Sequence, residues 1–241
     1  MNAKNLSPRL EKVAQLLVQF GPKPLRLADI GSDHAYLPSY LGLEGHLDFG
    51  LAGEVVDGPY QSAVKEVSSL GLNDLIDVRK GDGLAVIQPQ DQINAVSICG
   101  MGGSLIATIL DQGFDRLNPG TILALQPNIA SHHVRRLLLA RGARIMEDLV
   151  LEDGGRYYEI IIAKLGDPET QPYTEVEIRF GRHNLQTKKP DFIKKWSDEY
   201  KALSKVYQEI VKAKGVDHPS ALAMTDKLSL IKEAIQDDSD F

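Results

Sequence analysis

The chain has 241 residues, of which 43% are hydrophobic and 25% charged, and its formal net charge is −6. This composition is ordinary for a globular protein with a sizeable core. The single cysteine, Cys99, excludes an internal disulfide and favours a reducing compartment. The N-terminus predicts an amphipathic helix, not a signal sequence, and no apolar run reaches the roughly 20 residues of a membrane span. We therefore expect a cytoplasmic protein without a membrane partner.

Short apolar runs alternate with helical patterns through the first half of the chain. The predicted strands are residues 25–30, 47–53, 76–79, 95–99 and 121–125, and helical patterns include residues 60–70 and 104–112. Such alternation predicts βαβ units and a parallel, doubly wound sheet.

Two further strand patterns, residues 144–152 and 156–164, are joined by Asp153-Gly154-Gly155. A turn this short predicts a hairpin, so the last strand is expected to be antiparallel. A parallel sheet with such an ending is typical of class I methyltransferases. The predicted fold is therefore an α/β Rossmann-like class I methyltransferase sheet, over residues 1–165.

The rest of the chain has a different pattern. Residues 166–188 begin with GDPETQP and predict a linker. Residues 189–241 contain two apolar stripes at helical spacing, which predict a coiled-coil-like α-helical hairpin. The first stripe comprises Phe192, Trp196, Tyr200, Leu203, Tyr207 and Ile210, and the second comprises Met224, Leu228, Ile231 and Ile235.

Positive charge is concentrated in residues 179–214, which carry ten basic and four acidic side chains. Local charge governs phosphate contact more than net charge does, so this segment is a candidate RNA-binding surface, although a solvated helix face has the same pattern. The candidate phosphate contacts are Lys188, Lys189, Lys194 and Lys195, together with Arg135 and Arg136 on the helix expected after the fifth strand.

Acidic residues and glycines follow four of the predicted strands. They are Asp29, Gly31 and Asp33 after the first, Glu54 at the second, Asp82 and Gly83 after the third, and Gly100 after the fourth. Ligands of doubly wound sheets bind at the carboxyl ends of the strands. These residues are therefore predicted to form one cofactor site.

The turn after the first strand indicates which cofactor the site binds. A dinucleotide site has glycines where this chain has Asp33 and Ala35, and a carboxylate there would repel a pyrophosphate. S-adenosyl-L-methionine has no phosphate and carries a cationic ammonium and sulfonium, so carboxylates favour it. We expect Glu54 to hold its ribose and Asp82 its adenine amino group. Asp33 alone is also compatible with a helix N-cap.

Six motifs make the resemblance to a known family specific. They are ADIGSDHAYLP (28–38), AGEVVDGP (52–59), GDGL (81–84), ICGMGG (98–103), LQPN (125–128) and YYEI (157–160). Together they resemble the bacterial tRNA (adenine-22-N1)-methyltransferase family, TrmK, from about residue 6 to about residue 165. The resemblance implies methylation of adenine N1 in the D-arm region of tRNA, with S-adenosyl-L-homocysteine as the other product.

The usual base-holding motif after the fourth strand is replaced by Gly100-Met101-Gly102-Gly103. Asp33 is therefore the predicted catalytic carboxylate, with Asn128 reading the adenine edge. Tyr36 and Tyr60 are candidates for stacking on a flipped base, or for packing only. No metal site is predicted. A methyltransferase for small molecules or proteins and a non-catalytic RNA-binding protein stay open as alternatives, and so does the choice between a monomer and a weak homodimer.

Overall fold

A computed structural model describes residues 2–236, whose central feature is a seven-stranded sheet. The strands are β1 (Arg26–Ile30), β2 (Phe49–Glu54), β3 (Ile76–Lys80), β4 (Ala95–Gly102), β5 (Ile122–Ile129), β6 (Arg144–Asp153) and β7 (Arg156–Lys164), in the order β3-β2-β1-β4-β5-β7-β6. Strands β1 to β5 pair in parallel, and β7 is antiparallel to both of its neighbours. The predicted Rossmann-like sheet with an antiparallel hairpin is confirmed.

Helices cover both faces of the sheet. The first face carries α1 (Pro8–Phe20), α2 (Tyr36–Leu43) and α3 (Asp57–Ser69), and the second carries α4 (Gly103–Gly113) and α5 (Ser131–Ala140). Each helix buries apolar side chains against alternate residues of the strands, as a doubly wound fold requires. Within residues 2–236 we find no helix with the length and apolar character needed to cross a membrane.

Strands β4 and β5 are longer than the sequence predicted. Ile98 pairs with Ile30, the last residue of β1, and β4 then continues to Gly102. An irregularity in the pairing falls at Gly100, whose φ of +77° favours glycine. The extensions of β4 and β5 therefore form one wall of a cleft beyond the end of β1.

The segment predicted as a linker contains two short helices, α6 (Glu175–Phe180) and α7 (Arg182–Thr187). Phe180 is buried, and its ring lies 4.6 Å from that of Trp196 in an edge-to-face arrangement. The polar GDPETQP stretch therefore ends the sheet domain, but the residues after it pack as part of the helical region. Helices of six residues are too short to show a periodic apolar signal in the sequence.

The predicted helical hairpin is present as α8 (Pro190–Lys214) and α9 (Pro219–Ile235). It packs against the sheet domain through a third apolar cluster, which includes Val150 of β6, Phe192 and Trp196 of α8, and Ile231 of α9. The last five residues of the predicted hairpin domain, 237–241, lie outside the described residues.

A buried ionic cluster joins α5, β6, β7 and α8. The Arg135 guanidinium donates to Asp148 (Nε to Oδ2, 2.7 Å) and to Glu159 (Nη2 to Oε2, 2.6 Å). Its Nη1 donates to the carbonyls of Ile178 and Arg179. Because Arg135 is fully buried, the prediction that it contacts tRNA phosphates is wrong. Its position on α5 faces inward, where two carboxylates neutralise its charge.

Removal of Arg135 should destabilise the protein strongly. Arg135→Ala leaves Asp148 and Glu159 buried with less compensating charge, so the free energy of unfolding should fall by about 3–5 kcal/mol. Arg136→Ala on the same helix removes a half-exposed pair with Glu175 and should cost at most about 1 kcal/mol. Urea denaturation of both variants measures the difference, and equal losses would contradict a structural role for the buried cluster.

Candidate active site

A cavity of about 370 Å³ opens at the carboxyl ends of β1, β4 and β5. Its lining comprises Arg9, Leu10, Asp29, Gly31, Ser32, Asp33, Tyr36, Leu37, Cys99, Gly100, Met101 and Asn128. Six of the residues predicted for the site meet here, namely Asp29, Gly31, Asp33, Tyr36, Gly100 and Asn128. We call this space the catalytic cavity.

Asp29, at the end of β1, stabilises the turn that forms the floor of the catalytic cavity. Its carboxylate accepts hydrogen bonds from the hydroxyl groups of Ser32 in the turn and Ser97 of β4, the latter at 2.6 Å. Burial raises the pKa of Asp29, and the two hydroxyl donors oppose that shift. The carboxylate therefore fixes the turn against the neighbouring strand.

Gly31 is favoured by its backbone conformation, whereas its near neighbour is the flexible end of the Met101 side chain, which can shift. Its φ is +67°, a region that favours glycine, and an added Cβ would lie 2.1 Å from Cε of Met101. The glycine therefore keeps the floor of the cavity open below the Met101 side chain.

Asp33 is not a helix cap. It has a left-handed φ of +58°, and α2 begins three residues later without any side-chain cap. Aspartate is among the few non-glycine residues that adopt this conformation readily. Its carboxylate is 69% exposed at the cavity mouth, with His34 Nε2 at 3.7 Å. The cap interpretation of Asp33 is therefore wrong, and its carboxylate is available to a ligand.

Glu54, at the end of β2, lies beside this turn. The backbone N–H of Asp33 donates to Oε1 of Glu54, which is only 5% exposed. The pKa of Glu54 is raised to about 7. Burial is the main cause, the charges of Asp29 and Asp33 add to it, and the backbone hydrogen bond opposes it. Within residues 2–236 no lysine or arginine forms an ion pair with these three acids. Their arrangement favours a cationic ligand.

A polar network on the opposite wall fixes Asn128. Its Oδ1 accepts from Gln126 Nε2 at 3.1 Å and from Arg9 Nη1 at 3.3 Å, and its Nδ2 donates to the Gly100 carbonyl at 2.7 Å. Arg9 also donates to Gln126 Oε1 at 2.9 Å. Sequence reasoning missed Arg9 and Gln126, because contacts between α1 and β5 leave no signal in local spacing.

Four residues predicted for the cofactor or the base do not line the catalytic cavity, and one of them, Glu54, lies buried behind the turn that contains Asp33. Asp82 is exposed before a 3-10 turn, Gly83 faces Ile109 on α4, and Tyr60 is half-buried on α3. No group of acidic, histidine or cysteine side chains suitable for a metal ion occurs in the described part of the chain.

The predicted RNA-contacting side chains differ in how free they are. Lys195 donates to the buried Glu159 at 2.6 Å, and Lys194 pairs with Asp198 at 2.6 Å on the exposed helix surface. Lys188 donates to the Gln236 carbonyl, whereas Lys189 is exposed without an ion pair among residues 2–236.

A Rossmann-like sheet with an antiparallel terminal hairpin, and carboxylates where a dinucleotide site has glycines, define a class I S-adenosylmethionine-dependent methyltransferase. A family model described as tRNA (adenine(22)-N(1))-methyltransferase, TrmK, matches residues 27–235. The chain belongs to the TrmK family, which confirms the resemblance seen in the motifs.

Individual relatives agree with this assignment. A tRNA (adenine(22)-N(1))-methyltransferase of Bacillus subtilis (strain 168) is 37% identical, over 98% of this chain and 99% of its own. A Streptococcus pneumoniae protein, solved in complex with S-adenosyl-L-methionine, is 37% identical with a TM-score of 0.85, covering 96% of this chain and all of its own. M. capricolum TrmK, solved with S-adenosyl-homocysteine, is 25% identical with a TM-score of 0.84, covering 95% of this chain and 97% of its own.

Glu54 should titrate near neutral pH. Its pKa in the folded protein is about 7, above its ordinary value, so the folded state prefers the protonated acid. Stability associated with this group is therefore present at acidic pH and lost as the pH rises through 7. Carboxyl ¹³C NMR should show the Glu54 resonance titrating near pH 7, with Glu54→Gln used for assignment. Asp33→Asn should lower the midpoint, and a midpoint near pH 4.5 in the wild type would contradict the burial argument.

Proposed function

We propose that this protein transfers a methyl group from S-adenosyl-L-methionine to N1 of adenine 22 in tRNA. The observation that carries the proposal is the set of three neighbouring carboxylates, Asp29, Asp33 and Glu54, at or beside the catalytic cavity, with which no lysine or arginine among residues 2–236 forms an ion pair. The family assignment supplies the tRNA substrate and the position of the adenine. This role is consistent with a cytoplasmic location, which belongs to the same proposal.

The cofactor's chemistry fits the donor set of this turn. Gly31 allows close approach of the backbone, Asp33 and Glu54 offer carboxylates to hydroxyl and cationic groups, and the Gly100 region lines the opposite side. When bound, S-adenosyl-L-methionine supplies an electrophilic methyl group on a positively charged sulfur. Asp82 is exposed and lies outside the catalytic cavity. We keep its contact with the cofactor adenine as a prediction.

Asp33 is the proposed catalytic carboxylate. Adenine N1 has a lone pair in the neutral base, so it needs positioning rather than deprotonation before it attacks. Methylation leaves a positive charge on the base. The exposed Asp33 carboxylate stabilises that developing charge and can accept a proton from the exocyclic amine.

Asn128 and Gly100 are proposed to position the base. Both lone-pair directions of Asn128 Oδ1 are used by Gln126 and Arg9, so the side chain offers only its remaining N–H. The Gly100 carbonyl accepts from Asn128 and keeps a second lone pair for an adenine amino group. Asn128 therefore acts through orientation, and Arg9 holds it in place.

The adenine must leave its stacked position because N1 lies on its pairing edge. Tyr36 lines the catalytic cavity and stacks on His34 with a centroid distance of 5.0 Å, so it is the proposed stacking partner in preference to Tyr60. Lys188 and Lys189, together with the ion-paired Arg136, Lys194 and Lys195, are proposed to contact the tRNA backbone.

Methyl transfer tests the proposed function directly. The protein is incubated with labelled S-adenosyl-L-methionine and an unmodified tRNA transcript, and the product is digested for nucleoside mapping. We expect 1-methyladenosine at position 22 and no label in a transcript with guanine there. Label at another nucleotide, or no transfer to tRNA, would contradict the proposal.

Asp33→Asn should separate catalysis from folding. Asparagine also tolerates the left-handed backbone, so the melting temperature should stay nearly unchanged. Loss of the carboxylate should reduce the single-turnover rate by about 10²-fold or more at saturating tRNA and cofactor. Asp57→Asn is the matched control, since Asp57 is an exposed acid at the start of α3. A variant that keeps more than about a third of the wild-type rate would remove Asp33 from the catalytic role.

A further inference from the structure

A second cavity, of about 220 Å³, lies between the sheet domain and the helical hairpin. One side is formed by the end of β5 and the start of α5, including Asn128, Ile129 and His132, and the other by Trp196 and Glu199 of α8. Asn128 lines this space and the catalytic cavity, so the two are adjacent. We call the second space the interdomain cavity.

The interdomain cavity contains a buried polar group without a partner. Trp196 is 5% exposed, and its indole Nε1 has no hydrogen-bond acceptor within the described residues. A buried N–H without an acceptor costs free energy that a ligand can recover. Trp196 forms part of the cavity wall, and an acceptor in the cavity reaches Nε1 once the side chains that cover this atom shift.

The charges around the interdomain cavity balance. Its lining includes two basic side chains, Arg179 and Lys195, and two acidic ones, Glu159 and Glu199. Lys195 and Glu159 pair with each other, and neither Arg179 nor Glu199 forms an ion pair within residues 2–236. A phosphate would meet the Glu199 carboxylate, whereas a neutral group with donors and acceptors finds partners for both.

We propose that the interdomain cavity receives a nucleobase adjacent to the target adenine. The inference rests on the proposed function, because it takes the target to be a flipped adenine in the catalytic cavity. Single-stranded RNA is recognised by unstacking bases onto aromatic or guanidinium planes and bonding to their edges. His132 and the Arg179 guanidinium supply such surfaces, and Glu199 supplies an acceptor. The Trp196 ring, over which Lys195 Nζ lies at 3.8 Å, forms the wall behind them.

The position of Ile129 supports this path for the RNA strand. Its side chain is 72% exposed, it follows Asn128 directly, and it lines the interdomain cavity. An exposed apolar side chain between two such cavities is placed to separate two neighbouring bases, as apolar wedges do in other nucleic-acid complexes.

Trp196 makes the interdomain cavity directly observable, because it is the only tryptophan in the chain. The full-length protein is titrated with an unmodified tRNA transcript while tryptophan fluorescence is recorded. The same titration is repeated with transcripts that are abasic at the nucleotide on either side of adenine 22. We expect the intact tRNA to change the fluorescence and one of the two abasic transcripts to lose most of that change. An equal response to all three transcripts would overturn the proposal in favour of phosphate contact.

A pair of variants on α8 gives a second readout. Glu199→Ala should weaken tRNA binding roughly tenfold, since a buried base edge loses its acceptor. Glu209→Ala removes the same charge from an exposed position on the same helix and should bind tRNA as well as the wild type or slightly better. Affinity for S-adenosyl-L-methionine should be unchanged in both variants.

Failure of the nucleobase proposal and failure of the proposed function give different results. If Glu199→Ala binds tRNA as tightly as Glu209→Ala, loss of negative charge is the only effect, and the nucleobase site is overturned while methyl transfer by the wild type still stands. If the wild type fails to methylate adenine 22, the proposed function is contradicted, whereas the fluorescence titration still decides whether a base enters the interdomain cavity.

Discussion

The shared carboxylate of Glu159 is the ionic link between the sheet domain and the helical hairpin, beside the apolar cluster that packs them together. Its Oε2 accepts from Arg135 of α5, and its Oε1 accepts from Lys195 of α8, both at 2.6 Å. Burial alone would raise the pKa of Glu159, but Lys195 and Arg135 hold it at about 2. The stabilisation is therefore present above the ordinary glutamate pKa and is lost as the pH falls toward 2. Through this acid, the helical hairpin is held beside the carboxyl ends of β4 and β5, where the catalytic cavity opens.

The charges at the catalytic cavity are arranged differently from those around Glu159. Glu159 is paired with both Arg135 and Lys195, whereas Asp29, Asp33 and Glu54 lie close together and, among residues 2–236, form no ion pair with a lysine or an arginine. Mutual repulsion and burial make this arrangement costly, as the raised pKa of Glu54 shows. A ligand with positive charge relieves that cost, and a pyrophosphate would increase it. The same sheet edge that serves dinucleotides in other proteins is thus adapted to a cationic methyl donor by the residues of one turn.

Much of the fold was predictable from sequence, because apolar periodicity marks strands and helices and a short Asp-Gly-Gly turn marks the hairpin. Six of the predicted site residues also line one cavity. Side-chain direction on α5 was not predictable: Arg135 and Arg136 are adjacent in sequence, yet one is buried and the other half-exposed. Arg9 was missed for a related reason, since its contact with Asn128 depends on how α1 packs across the sheet. Such contacts are set by tertiary packing, which local spacing does not encode.

We propose that Glu159 keeps the helical hairpin in register with the catalytic cavity. Single-turnover methylation of tRNA by Glu159→Gln, with S-adenosyl-L-methionine affinity measured alongside, tests it most directly. Neutralising Glu159 frees the Lys195 ammonium, which would strengthen tRNA binding if Lys195 acted only as a phosphate contact. We expect instead that the methylation rate falls roughly tenfold or more while the affinity for S-adenosyl-L-methionine is unchanged. A wild-type rate with tighter tRNA binding would contradict it.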